Sequence, residues 1–168
     1  MSNLSSVTDR ICRERKPLGI IFLGGSRVDF SEDTSSFKVP CVIVTTSAEN
    51  WSMEELSSVA IDDEKAGETI VDYLIEHGHT KIAEIGANLE LSQTAILRHN
   101  GYLNSFKKHG ITPDERYYER ARFSYDSAYR AMKKLLEKNI EITAVYAISD
   151  VMAIGAIRAI LDKGLRVP

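Results

Sequence analysis

Thr143-Ala144-Val145-Tyr146-Ala147-Ile148, then Ser149-Asp150, then Val151 to Lys163 and Gly164, is the stretch that decides the fold. Its first six residues are apolar or β-favouring and show no clean polar alternation. That pattern fits a strand buried on both faces, as in a parallel sheet. A polar pair then turns the chain. The following Ala153-Ile154-Gly155-Ala156-Ile157-Arg158-Ala159-Ile160 is a helix with small residues that allow close packing, and Gly164 closes it.

The same unit repeats towards the N-terminus. Leu18 to Leu23 is a continuous apolar run ended by Gly24-Gly25, and reads as a buried strand. Val39 to Val44 is a second, running into Thr45-Thr46-Ser47, and Ser58 to Ile61 is a short third. Asp62-Asp63 opens a helix with Ala66, Ile70, Val71, Leu74 and Ile75 at helical spacing, which stops at Gly78. Lys81 to Ile85 is a strand, Thr94 to His109 a helix closing on Gly110, and Glu119 to Phe123 a strand. Ser124 to Lys138 is a helix with Ala128, Met132, Leu135 and Leu136 inward. Val7 to Arg15 reads as a helix, Ser26 to Phe37 as polar and turn-like, and Ala48 to Ser57 as a loop or short helical turn. Apolar strands alternating with amphipathic helices imply an α/β fold with parallel sheets flanked by helices. A helix precedes the first strand, and Leu165 to Pro168 leads where another strand is expected. The architecture therefore reads as incomplete at both ends.

Bulk properties exclude several classes. The 168 residues carry a net charge of -3, with 43% hydrophobic and 27% charged residues, the profile of an ordinary globular chain. A freestanding nucleic-acid binder shows a basic excess, and Arg10, Arg13, Arg15 and Lys16 read more simply as a solvated helix end. Cys12 and Cys41 form no disulfide framework and read as free buried thiols of a reducing cytoplasm. No apolar run approaches the ~20 residues that span a membrane, so no membrane partner is expected. Met1-Ser2-Asn3-Leu4 carries no charged segment before a hydrophobic one, so no secretory signal is expected.

In open parallel sheets, ligands bind at the carboxyl ends of the strands. The residues there are Gly24-Gly25-Ser26, Thr45-Thr46-Ser47, Gly86-Ala87-Asn88 with Ser92-Gln93-Thr94, Phe123-Ser124-Tyr125, and Ser149-Asp150. The set is rich in hydroxyls and amides and contains two aromatics. It suits a small polyhydroxylated ligand, with donors and acceptors for hydroxyls and a ring for a C–H face. Arg98 lies one turn beyond Thr94 on the same helix face and aims a planar fork of donors at the same crevice. Each residue has a plainer reading. Ser149 or Asp150 is an ordinary helix N-cap, Phe123 an ordinary core residue, and Asp62-Asp63 an ordinary acidic pair at a helix start.

Enzyme motifs are thin. Gly24-Gly25-Ser26 lacks the rest of a phosphate-cradling loop, and no nucleophile elbow occurs. His77-Gly78-His79 is a weak metal pair without a third ligand nearby in sequence. No catalytic residue, metal or cofactor is expected.

Ala147-Ile148-Ser149-Asp150-Val151-Met152-Ala153-Ile154-Gly155-Ala156-Ile157-Arg158-Ala159-Ile160, with Gly164 to Pro168, closely resembles the signature run of the lac-repressor/galactose-repressor family. Asp63 with Gly67, then Tyr73 to Ile75 and Gly78 to Ala83, is similar to that family's central helix and following strand. Arg98 with Gly101-Tyr102 is similar to its next helix. The resemblance covers roughly residues 7 to 168. It implies two Rossmann-like lobes of periplasmic-binding-protein type with a sugar-like effector in the cleft between them. Residues 1–61 would be part of the first lobe and 62–168 most of the second. It implies a cytoplasmic homodimer that reaches DNA only through a headpiece not present in this sequence. Carried over by position, the effector contacts are Thr45, Thr94, Arg98, Phe123 as the stacking ring, Ser149 and Asp150. Ser149 stands where relatives often carry Asn, and Thr45 where an acidic residue is common. Two other classes fit the same alternation: a transport-type sugar-binding protein, disfavoured by the absent leader, and a nucleotide-dependent α/β enzyme, disfavoured by the absent phosphate loop.

Overall fold

A computed structural model describes residues 4–25, 39–48, 56–89 and 92–168. The Ser26 to Phe37 segment lies outside the described residues, as does most of Ala48 to Ser57. The chain divides into two compact units, Met1–Ile61 and Asp62–Pro168.

The first unit contains α1 (Leu4–Arg15), β1 (Ile20–Leu23), β2 (Cys41–Val44) and β3 (Leu56–Val59). The strands form one parallel sheet in the order β1-β2-β3. Phe22, Cys41 and Ile43 make its buried cluster, with Ile20, Val39, Ala48 and Leu56 packed against it. The apolar run Leu18 to Leu23 was expected to be a strand buried on both faces, and this is corrected. Ile20 and Phe22 turn inward, whereas Ile21 and Leu23 are 68% and 86% exposed. An apolar run marks a strand, but it does not say which faces are covered. The third strand also begins earlier than expected, at Leu56, and ends at Val59. The basic residues at the end of α1 are exposed, and Arg13 pairs with Asp9 one turn back at 2.8 Å. Cys41 is buried and Cys12 is half-buried, and neither is in a disulfide.

The second unit contains α2 (Asp63–Glu76), β4 (Ile82–Gly86), α3 (Gln93–Lys108), β5 (Tyr118–Arg120), α4 (Tyr125–Glu137), β6 (Ala144–Ala147) and α5 (Asp150–Asp162). Its sheet is parallel with the order β5-β4-β6, so β4 is central. Every residue of β4 is buried. α2 packs along α3, and α4 along α5. Val71, Ile82, Ile85, Met132, Leu135 and Met152 are the largest fully buried apolar side chains described in this unit, and each contributes about 2 kcal/mol by leaving water. β5 is shorter than the expected Glu119 to Phe123. It pairs with β4 over three positions, and Ala121 to Phe123 leave the ladder after Ala121 N–H donates to the Gly86 carbonyl.

Two glycines set the α2–α3 spacing. A Cβ on Gly67 would lie 2.6 Å from the Arg98 carbonyl oxygen, and one on Gly101 would lie 2.6 Å from the Glu68 backbone nitrogen. Real Cβ contacts are never that short, so a side chain at either position forces the helices apart. At the far end of the same pair, Asp72 accepts hydrogen bonds from Ser105 at 2.6 Å, Lys108 at 2.6 Å and His109 at 2.9 Å. Partial burial pushes the Asp72 carboxyl up, but those hydrogen bonds outweigh it and hold it down at about 2.

One charged group sits inside the apolar layer. Glu84 of β4 is 1% exposed, and its Oε2 meets His99 Nδ1 of α3 at 2.7 Å. Its Oε1 has no partner among the described residues. Burial pushes the Glu84 carboxyl up, and the His99 contact opposes this. Burial, aided by the Glu84 charge, pushes the Tyr118 and Tyr146 hydroxyls up to about 12.

Candidate functional site

Because β4, β5 and β6 run parallel, their carboxyl ends share one edge of the sheet. Three segments meet there: Gly86 to Asn88, Ala121 to Phe123, and Ile148 to Asp150. Ile148 N–H donates to the Ile85 carbonyl at 3.3 Å, Ala121 N–H to the Gly86 carbonyl at 2.8 Å, and the Tyr118 hydroxyl to the Ala87 carbonyl at 2.7 Å. These bonds hold the loop starts at fixed positions along the edge.

Arg98 reaches this edge from α3. Its Nη1 donates to the Ile148 carbonyl, the last carbonyl before the Ser149 turn. Its Nε donates to Asp63 Oδ1 at 2.8 Å, and Nη2 lies 2.8 Å from the same oxygen. The Asp63 side chain is 5% exposed and that of Arg98 26%. The guanidinium is therefore fixed on its inner side and open on its outer side. It has five donors, and these contacts use no more than three.

Asp63 itself is placed by the start of α2. Asp62 is the N-cap, and its side chain accepts from Lys65 N–H at 2.8 Å. The adjacent Asp63 was read with it as an ordinary acidic pair at a helix start. The structure corrects that: the two carboxylates face different environments, and Asp63 turns into the α2–α3 crossing. Adjacent residues on a helix lie about 100° apart, so the two carboxylates of a DD pair at a helix start need not share one environment. That spacing, with Gly67 and Gly101 marking a close crossing, was the available signal.

The plain capping reading of Ser149 is also corrected. Ser149 occupies the N-cap position of α5, yet its side chain makes no cap hydrogen bond. Its Oγ is buried and has no hydrogen-bond partner among the described residues. A buried hydroxyl without a partner costs about 1–3 kcal/mol, so Ser149 Oγ is available to a hydrogen bond from a ligand. Asp150 is exposed in the first turn of α5. Phe123 is not core: it is 46% exposed, just beyond β5 at the same sheet edge. Thr94 is half-buried in the first turn of α3, which Ser92 caps through Ala95 N–H at 3.2 Å. Arg98 and the Ser149 turn are thus joined directly through Ile148. Phe123 shares their edge across β4.

Thr45 belongs to the first unit and ends β2. Its N–H donates to the Val59 carbonyl at 2.9 Å, and its φ is +79°. Gly24 and Gly25, at the end of neighbouring β1, have φ of +78° and +130°. The left-handed region suits glycine and costs a β-branched residue of order 1–2 kcal/mol. Thr45 is exposed at that strained turn.

His77 Nδ1 lies 2.8 Å from the Tyr73 carbonyl oxygen. Among the described residues no group of three or more His, Cys, Asp or Glu side chains is placed to hold a metal. A groove of about 340 Å³ between α4 and α5 is lined by Tyr129, Lys133 and Asp162 among others, and by none of the candidate site residues.

The profile of the periplasmic binding protein-like domain matches residues 71–168. The chain belongs to that family. It is 34% identical over 158 residues to the HTH-type transcriptional regulator MalR of Clostridium butyricum, covering 93% of this chain and 47% of that protein. Among solved structures, the complex of the transcriptional regulator CelR with cellobiose superposes with a TM-score of 0.81 at 28% identity, covering 98% of this chain and 50% of that one. The transcription regulator CcpA of Lactococcus lactis gives a TM-score of 0.81 at 27% identity, covering 98% and 59%. The likeness is thus to the effector domain of LacI-type regulators, and these relatives are transcription regulators rather than enzymes. The chain spans about half the length of the curated relatives it matches. Among its described residues, no helix is long and apolar enough to cross a membrane.

Proposed function

We propose that this chain is the ligand-sensing and dimerisation core of a LacI-type transcription regulator, taking a small polyhydroxylated effector, a sugar or a close relative. The observation that carries the reading is the polar cluster at the second unit's sheet edge. Arg98 is pinned by Asp63 and the Ile148 carbonyl, the buried Ser149 hydroxyl lacks a partner, and the exposed Phe123 ring shares the edge. A sugar satisfies such a set: its hydroxyls take the outer guanidinium donors and Ser149 Oγ, and its C–H face covers the ring. The cellobiose complex of the related CelR supports the ligand class.

In this reading residues 1–61 are part of one lobe and 62–168 most of another, with Thr45 and Thr94 adding contacts and Asp150 accepting from a hydroxyl. Effector binding shifts a population of lobe arrangements, and a homodimer passes the shift to DNA-binding headpieces. DNA contact is assigned to those headpieces and not to these residues, whose net charge is -3. The dimer reading is supported by α5, where Ile154, Ile157 and Leu161 are exposed at helical spacing. The protein works in the cytoplasm, where operator DNA is. Calorimetry against a panel of neutral mono- and disaccharides tests the proposal. One sugar is expected to bind, with Arg98→Ala and Phe123→Ala each weakening it about tenfold or more. Binding that both substitutions leave unchanged would place the site elsewhere.

A further inference from the structure

Arg98 is the cation hydrogen-bonded into the sheet-edge cluster, and an isolated arginine at a ligand site would favour carboxylates and phosphates. Here the charge is already matched. Both Nε and Nη2 converge on one oxygen of the buried Asp63. The N-terminus of α5 at Ser149 would also attract an anion, but Asp150 stands in its first turn. Arg98 and Asp63 cancel, Asp150 adds a negative charge at the start of α5, and Arg122 of the Ala121 to Phe123 segment is exposed to solvent. An anionic effector bound at Arg98 or at the start of α5 would have to displace a buried ion pair or sit beside Asp150, and either is costly.

We infer that Asp63 is the positioning and charge-selecting residue of this site: it holds the Arg98 fork in place and cancels its charge, so that the site takes uncharged polyhydroxyl ligands and rejects their acidic counterparts. The inference rests on the sheet-edge effector reading, and it adds which members of that ligand class are admitted. Asp63 does this without touching the ligand. Its carboxylate fixes the inner donors of Arg98, and the outer ones are left for neutral hydroxyl oxygens.

Inorganic phosphate is a charge probe that needs no knowledge of the effector. In the full chain, the Ser149 amide resonance is followed while phosphate is added at constant ionic strength, for the parent, Asp63→Asn, and Asp63→Asn combined with Arg98→Ala. The parent resonance is expected not to move saturably. Asp63→Asn is expected to gain saturable phosphate binding at least tenfold tighter than the parent, and the double variant to lose it. A saturable shift in the parent would overturn the inference, as would a folded Asp63→Asn that gains nothing. If Asp63→Asn does not fold, the parent titration alone decides. In parallel, galactose and glucose are compared with galacturonate and glucuronate. An acid that binds the parent as tightly as its neutral partner also overturns the inference. Failure of every sugar to bind would count against the effector reading, while the phosphate result still decides the charge selection.

Discussion

Thr45 and Ser149 carry a local cost within the described fold, and Asp63 carries a burial cost that Arg98 offsets. Thr45 holds a φ of +79°, Ser149 buries an unpartnered hydroxyl, and Asp63 buries a carboxylate. Costs of this kind persist where something else requires them. For Thr45 the cost can be measured directly. Thr45→Gly relieves the left-handed strain and is expected to stabilise the chain by about 0.5–1 kcal/mol in urea denaturation. The same substitution is expected to weaken effector binding. Destabilisation by Thr45→Gly would mean that the threonine side chain is held there by packing. At this scale the sequence was legible in part. The positions of Phe123 and Ser149 followed from their place after the strands, and that of Arg98 from its helical spacing to Thr94. The Asp63–Arg98 pair did not, because it joins residues 35 apart in sequence through a helix crossing. Likewise, capping is judged by residue type, and Ser149 has the right type but makes no cap bond.

Elements were the most legible scale, because hydrophobic periodicity and terminal glycines are local signals. α2, α3, α4 and α5 each end within a residue or two of the expected glycine or lysine. The strands were located but their burial was not. β1 and β4 are both continuous apolar runs, yet every residue of β4 is buried while Ile21 and Leu23 of β1 are exposed. What covers a strand is decided by distant chain, and a run of Ile and Leu does not encode it. The α2–α3 crossing is the element-scale feature on which the site depends, since it carries Asp63 to Arg98. Gly101→Ala places a Cβ 2.6 Å from the Glu68 nitrogen. It is expected to destabilise the second unit by about 1–3 kcal/mol and to weaken effector binding, by moving Arg98. Unchanged thermal stability in this variant would show that the crossing is looser than described.

At the scale of the whole molecule, the buried Glu84 sets a pH dependence. It is faced by His99 and Tyr102 of α3, Tyr118 of β5 and Tyr146 of β6. Burial raises its folded pKa above the ordinary 4.5. Below 4.5 the group is protonated in both folded and unfolded chains, and its contribution to stability is fully present. As pH rises through the folded pKa that contribution is lost. Glu84→Gln imitates the protonated form. It is expected to leave stability unchanged near pH 4 and to raise it at pH 8, read as urea midpoints at both values. Asp72 acts in the opposite sense. Its pKa of about 2 adds stability above 3.8 that is lost as pH falls towards 2. A variant Glu84→Gln less stable at pH 8 than at pH 4, relative to the parent, would mean that the ionised pair with His99 is a net stabiliser.

The central claim is that a sugar-like effector is held by the sheet-edge cluster of the second unit. The most direct measurement is residue-resolved NMR of the chain titrated with the saccharide that binds tightest in calorimetry. Saturable shifts are expected at Arg98 Nε–H, the Ser149 amide and the Phe123 ring, and none at Tyr129 or Lys133 in the α4–α5 groove. Shifts confined to that groove, with Arg98 and Ser149 unmoved, would contradict it.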